Sequence, residues 1–397
     1  MFEGLDKMDW KSLGHHIYGR QEIIPQEIRN LLSENAEVRQ DARDFLLGGG
    51  QDYGDIYDTT PHIIPFLFEI LNSPGGPDKD QLLTHLSEVA NHIFYLNRPS
   101  IHMMRLCLRT YDALKAGMGI LIALLDDPSV EVRAGDAELL GCMTDEVESL
   151  IPELIRSFRK EETEEIQIAL LDSLKKLLHS LEWRRFALRG QYAPFFKEVV
   201  EDHPNQNVRV AAARASVELL GRFKGKQTDL SPEVPGLLTQ EFLKVSAGLD
   251  HKKRGHEFLH AERIAQDLSR LSNHEPLLTL MQTPDLGPEQ AHLVARALMA
   301  AIFLYGPMIE SHWERFASYD RKTDGLFYLQ EFYAIREMRH SIGYKVKRPF
   351  LQAILEAEKA WEIPSNLFSS FYGLPDSREG WREMLEKLDA QEDSRKG

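Results

Sequence analysis

Three times along the chain a Val-Arg pair opens a run of apolar residues at helical spacing. The segments are Ser33-Glu34-Asn35-Ala36-Glu37-Val38-Arg39, Asp127-Pro128-Ser129-Val130-Glu131-Val132-Arg133 and Pro204-Asn205-Gln206-Asn207-Val208-Arg209. They continue through Ala42, Phe45 and Leu46, through Ala137, Leu139 and Leu140, and through Ala212, Ala213, Val217, Leu219 and Leu220. Each run is the stripe of a helix with one buried face. The polar, Pro and Asn residues just ahead of each run act as start signals, because short side-chain oxygens cap the free amides of a first turn. A recurring phase of this kind predicts similar helical units stacked side by side.

The intervals between the three pairs are roughly twice the about 40–47 residues of a HEAT or armadillo unit, which places an intermediate unit inside each gap. Pro77-Asp78-Lys79-Asp80 leading into Leu82, Leu83, Leu86, Val89 and Ala90 is one candidate; Lys160 to Ile166 leading into Ala169, Leu170, Leu171, Leu174, Leu177 and Leu178 is the other. Apolar segments at 63–71, 118–125, 150–158 and 194–200 supply a preceding helix for each unit. Such hairpins cannot bury their apolar faces alone and must stack. The expectation is an all-α chain, an α-α superhelix (a HEAT/armadillo-like solenoid) of about eight to ten helix pairs. Regular repeats are expected over 1–223, a hinge at 224–235, divergent helical repeats over 236–385 and a frayed tail at 386–397. Asp127 before Arg133 and Asp202 before Arg209 are the expected ion pairs linking neighbouring units.

Charge narrows the partner. With 62 Asp and Glu against 47 Lys and Arg, the formal net charge is −15, which disfavours nucleic acid and anionic lipid and favours a basic partner. Cys107 and Cys142 are too few for a disulfide framework or a Cys-based zinc site, and they fit a reducing cytoplasm. Met1 to Trp10 carries Glu3, Asp6 and Asp9, so no secretory leader is expected there. The most apolar stretch, 297–309, is interrupted by Gly306 and Pro307 and is too short for a bilayer.

The sharpest chemical motif is His256-Glu257-Phe258-Leu259-His260, an H-E-x-x-H pattern that puts two imidazoles on one helix face beside a carboxylate able to activate a zinc-bound water. Glu275 is the available third ligand. A zinc hydrolase is therefore a rival reading, set against an amphipathic helix whose core stripe is Phe258, Ala261, Ala265 and Leu268. Gly48-Gly49-Gly50 lacks the Lys-Ser/Thr of a phosphate loop. Cations at Arg184, Arg185 and Arg189, at Arg222, Lys224 and Lys226, at Lys252-Lys253-Arg254 and at Lys345, Lys347 and Arg348 raise a nucleic-acid reading, against which the overall charge stands. Late aromatics, Trp313 to Tyr333 and Phe368 to Tyr372, are expected mostly in core. No catalytic residues and no cofactor are assigned.

Several segments are similar to bacterial HEAT-repeat proteins, some of which are encoded beside polymorphic or contact-delivered toxins and act as immunity proteins. The resemblance is carried by Trp10-Lys11-Ser12-Leu13 with His16, Tyr18 and Gly19, and by Ile24-Pro25 with Ile28 and Arg29. It continues in Tyr57-Asp58-Thr59-Thr60 before Ile64-Pro65, in Tyr111-Asp112 to Gly117 before Asp126-Asp127, and in Tyr372-Gly373-Leu374-Pro375 before Arg378-Glu379. The chain departs from that pattern over Gly48 to Asp55. The resemblance implies a non-catalytic cytoplasmic protein that neutralises a toxin domain by occluding it; a scaffold or assembly factor is the alternative. The expected contact residues are Tyr57 and Asp58 and the acidic run Glu161, Glu162, Glu164 and Glu165, a counter-surface for a cationic protein.

Overall fold

A computed structural model describes residues 1–14, 20–47, 56–95, 101–180, 186–220, 230–247, 249, 256–271, 275–283, 286–303, 344–362 and 377–394. Outside the described residues lie His16, Tyr18 and Gly19, Gly48 to Asp55, and residues 224–229 of the expected hinge. The same holds for the cations at 184, 185, 222, 224, 226 and 252–254, the aromatics of 313–333 and 368–372, and the terminal Tyr372 motif. The fold is all-α: the described residues form helices and turns, with no strand among them. They divide into two compact units, Met1–Leu188 and Arg189–Gly397.

In the first unit, α1 (Ile24–Asn30), α2 (Ala36–Leu47), α3 (Thr60–Leu71), α4 (Lys79–Tyr95), α5 (Ile101–Ala116), α6 (Met118–Leu124), α7 (Val130–Gly141), α8 (Val147–Lys160) and α9 (Glu164–Ser180) follow one another. Helices α1 and α2, α6 and α7, and α8 and α9 pack as hairpins, while α4, α7 and α9 lie side by side as the second helices of successive hairpins. Both intermediate repeats expected from the sequence are present as α4 and α9, with Leu82, Leu83, Leu86, Val89 and Ala90, and Leu170, Leu171, Leu174, Leu177 and Leu178, buried as their stripes require. Asn35, Ser129 and Asn205, each four residues ahead of a Val-Arg arginine, accept from first-turn amides: Asn35 from Glu37 N at 2.9 Å, Ser129 from Val132 N at 3.2 Å, and Asn205 from Asn207 N at 2.8 Å. These are the caps that short polar side chains provide.

The third hairpin differs from expectation. Its first helix is the expected one, α6 at 118–124 packed on α7, but a further helix, α5, precedes it, packs on α3 and is separated from it at Gly117. A Cβ at Gly117 would overlap the Phe68 ring of α3, so the missing side chain is what lets the ring sit against the break. Gly141 plays a comparable part between α7 and α9, where a Cβ would come within 2.9 Å of Ser173 Cα. Ser173 Oγ spans the same contact by donating to Ala137 O at 2.6 Å.

The second unit contains most of α10 (Phe186–Asp202), then α11 (Gln206–Leu220), α12 (Val234–Ser246), α13 (His256–Ser269), α14 (Glu275–Met281), α15 (Pro288–Phe303), α16 (Tyr344–Glu356) and α17 (Arg378–Ser394). Helices α11, α12 and α13 pack successively, α13 against α15, and α16 against α17. Helical backbone in α17 continues into the segment expected as a tail. Near the start of α17 Trp381 is fully buried, with Trp361 edge-on at 5.7 Å between ring centroids. No helix among the described residues is long and apolar enough to cross a membrane.

Candidate functional site

The acidic residues singled out by sequence divide into two places in the first unit, and the Val-Arg arginines explain why one of those acids is engaged internally. Arg39 Nε and Nη2 meet Asp78 Oδ2 and Oδ1 at 2.8 and 3.0 Å, while its Nη1 donates to the carbonyls of Ser33 and Glu34. Arg133 repeats the arrangement. Its Nε and Nη2 meet Glu161 Oε2 and Oε1 at 2.8 and 3.2 Å, and Nη1 donates to the carbonyls of Asp127 and Pro128. Each guanidinium thus closes its own loop, through carbonyls six and five residues back, and clamps the acid of the following hairpin bidentately. Lys79, at the start of α4, makes the intermediate link to Asp127 at 3.5 Å.

The expected Asp127–Arg133 carboxylate pair is therefore corrected: only the Asp127 carbonyl reaches Arg133. The Asp127 carboxylate faces Lys79 and accepts from Ser129 N at 2.9 Å. Arg209 likewise turns to Val200 O and Glu233 in place of Asp202. The physical reason is direction. The first turn of a second helix points its long side chains toward the loop of the next hairpin, so the links run forward along the array.

Glu161, expected as a contact residue, has only 8% of its side chain exposed. Besides Arg133, its Oε1 accepts from Thr163 N at 2.9 Å. Burial pushes its carboxyl up, but the Arg133 hydrogen bonds and the Thr163 amide outweigh it and hold the pKa below the ordinary value. Asp78 is likewise held low by Arg39, against burial and with help from Arg43. Glu162 and Glu165 are exposed, and Glu164 is half-buried. An open cleft of about 420 Å³ lies beside them, lined by Asp126, Asp127, Arg133, Lys160, Glu161 and Glu162 among others.

Tyr57 and Asp58 sit just ahead of α3, both half-buried. Asp58 Oδ1 lies 3.5 Å from His102 Nε2 on α5, and two turns farther along α5, Arg109 Nη2 donates to His62 Nε2 at 2.7 Å. That bond needs a bare Nε2. Burial first, then Arg109, keeps the His62 pKa below the usual imidazole value, against Asp58. The structure does not bring Tyr57 and Asp58 to the Glu161–Glu165 run by any contact among the described residues.

In the second unit His256 and Glu257 are exposed at the start of α13, and His260 is half-buried with Nε2 4.0 Å from Glu241 Oε1. Burial and Arg214 keep the His260 pKa low. Glu275 opens the next helix and is exposed. Among the described residues no three His, Cys, Asp or Glu side chains are grouped to hold a metal ion. Of the cations raised for nucleic acid, Arg348 is described with its side chain and is spent on Asp389 at 3.0 Å.

Sequence reasoning passed over Asp136. It is fully buried on α7, neither carboxyl oxygen has a hydrogen-bond partner among the described residues, and burial raises its pKa well above 3.8, with the Asp127 charge adding to the rise. The signal was present: three residues after each Val-Arg arginine stand Ala42, Asp136 and Ala212, and all three are fully buried.

No protein family matches the sequence, and no curated protein does. Among solved structures the chain is similar to a designed armadillo repeat protein, with 16% identity over 60% of this chain and 99% of the other and a TM-score of 0.36. It is also similar to the crystal structure of an engineered protein, with 13% identity over 89% and 87% and a TM-score of 0.39.

Proposed function

We propose that this chain is a non-catalytic protein-binding scaffold that occludes a basic partner, and in its most concrete form an immunity protein that neutralises a cationic toxin domain in the cytoplasm. The observation carrying this reading is the placement of charge. Residues 1–188 hold 32 of the 62 carboxylate residues but 19 of the 47 cations, a net of −13, and residues 189–397 hold the remaining 30 and 28, a net of −2. Folding spends some of these acids on the links between hairpins, yet Glu162, which lines the open cleft just ahead of α9, and Glu165, in the first turn of α9, are exposed. A surplus of one sign on one unit steers an oppositely charged protein and makes its association fast and salt-sensitive.

Co-expression with the product of the neighbouring gene, and co-purification from the native host, test the reading. Recovery of a basic protein whose association rate falls steeply between low and physiological salt, and whose toxicity the chain suppresses, supports it. Failure to recover a protein partner, with no protection of cells, overturns it.

A further inference from the structure

Helix α5 is apolar on two sides. Its inner side buries Leu106, Cys107, Thr110, Tyr111 and Leu114, with Leu106 and Cys107 in a cluster with Ile56 and Val89. Its outer side leaves Ile101 74%, Met104 52% and Leu108 61% exposed. Those three stand at i, i+3 and i+7, one continuous stripe about 10 Å long by helical rise. Single exposed apolar residues are ordinary, whereas an aligned row on one helix marks a docking surface.

Cations edge the stripe. Arg105 is exposed and makes no ion pair with any described carboxylate, and Arg109 spends its donor on the neutral ring of His62. His102 faces Asp58, and Asp112 is exposed one turn beyond Arg109. Two guanidiniums that pair with no described carboxylate therefore line one side of an apolar row, inside a unit whose net charge is −13.

We propose that the outer face of α5 is a docking site for an acidic amphipathic helix of a partner protein. Apolar residues of that helix at a three-to-four spacing cover Ile101, Met104 and Leu108, and its carboxylates meet Arg105 and Arg109. An anionic membrane is the weaker occupant. A bilayer meets the field of the whole acidic unit across a Debye length of about 10 Å, while a single helix meets the two arginines at contact distance. This site is separate from the acidic surface proposed above, and either holds without the other.

The probes are two synthetic stapled helices, one with Leu at the three-to-four spacing and Glu between, the other with Lys for every Glu, followed by fluorescence anisotropy on the full chain. The acidic helix is expected to bind one-to-one and at least about tenfold more tightly than its Lys counterpart. Leu108→Glu should weaken it about tenfold or more, and Arg105→Glu with Arg109→Glu should reverse the preference. Leu108 is mostly exposed, so unchanged hydrogen exchange in α5 shows that the fold persists, and Glu162→Lys leaves the affinity as it was. Equal binding of both helices, indifference to Leu108→Glu, self-association abolished by that substitution, or recruitment to phosphatidylserine vesicles without peptide binding would each overturn the proposal.

Discussion

Asp136 and Asp267 are both buried aspartates on helices near the middle of their units, and the units treat them in opposite ways. Asp267, on α13, has Arg214 of α11 at 2.8 Å on one oxygen and Arg270 at 2.8 Å on the other. Burial still raises its pKa, against both arginines. Neither oxygen of Asp136 has a hydrogen-bond partner among the described residues. The difference reflects how each unit is held together. The first repeats a loop-to-loop clamp, so its helix interiors are left to apolar packing and a stray carboxyl there has nothing to meet. The second crosses between helix bodies with pairs such as Arg214–Asp267 and Arg296–Glu262, and a buried acid is part of its construction.

The same substitution should therefore have opposite signs in the two units. Asp267→Ala removes the buried carboxylate that Arg214 and Arg270 share and should destabilise α11 and α13 by about 3 kcal/mol or more, read as faster hydrogen exchange in those helices alone. Arg133→Ala comes next: it strips Glu161 of its bidentate partner and frees two carbonyls, a loss of about 2 kcal/mol centred on α7 and α9. Asp136→Ala should stabilise the first unit by about 2 kcal/mol at neutral pH, because an unsatisfied buried carboxyl is removed where Ala42 and Ala212 already fit. A loss of stability in that variant would mean that Asp136 has a partner.

The pH dependence sharpens the contrast. A folded carboxyl whose pKa lies above the unfolded value binds more protons than the unfolded chain, so Asp136 lowers stability as pH rises from about 4 toward its folded pKa. Glu161 and Asp78 have depressed values and do the reverse, giving stability above the ordinary carboxylate pKa that is lost on acidification through their folded pKa values. Denaturation of the first unit followed from pH 4 to 8 should show a decline that Asp136→Ala abolishes. The smallest effect is Glu162→Lys with Glu165→Lys, within about 0.5 kcal/mol in stability since both are exposed, and visible only as slower association with a basic partner.

The helical repeats were legible because the Val-Arg phase fixes three things at once: an N-cap four residues back, an inward stripe, and an arginine at a loop. What the sequence hid was which acid each arginine chooses. Asp127 is nearer than Glu161 in sequence, and only the geometry of the first turn, pointing forward, decides between them. Helix α5 was hidden for another reason. Apolar residues on both of its sides blur the helical stripe, and Gly117 reads as an end where the structure has a break packed against Phe68. In the second unit the cross-helix pairs have no fixed spacing, so no pattern announces Arg214 with Asp267. The H-E-x-x-H match was conspicuous because a short regular expression ignores exposure, and His256 and Glu257 stand in solvent.

The forward links of the first unit also give the chain a grammar for growth. Asp78 closes the link behind it, and its neighbour Lys79 opens the one ahead, to Asp127. A cassette cut between residues 78 and 79 and again after Asp127 begins with a cation and ends with the acid that answers it. Tandem duplication of that cassette would give each copy's Lys79 its own Asp127, while Lys115 and Asp126, which pair with Glu146 and with Arg156 and Lys160 beyond the cassette, would keep those partners only in the last copy. A cut made a few residues away, between Pro128 and Arg133, would separate an arginine from the loop it closes. Both ends of the cassette therefore fall in hairpin turns, at Asp78 just ahead of α4 and at Asp127 between α6 and α7, where the Lys79–Asp127 link sets the phase.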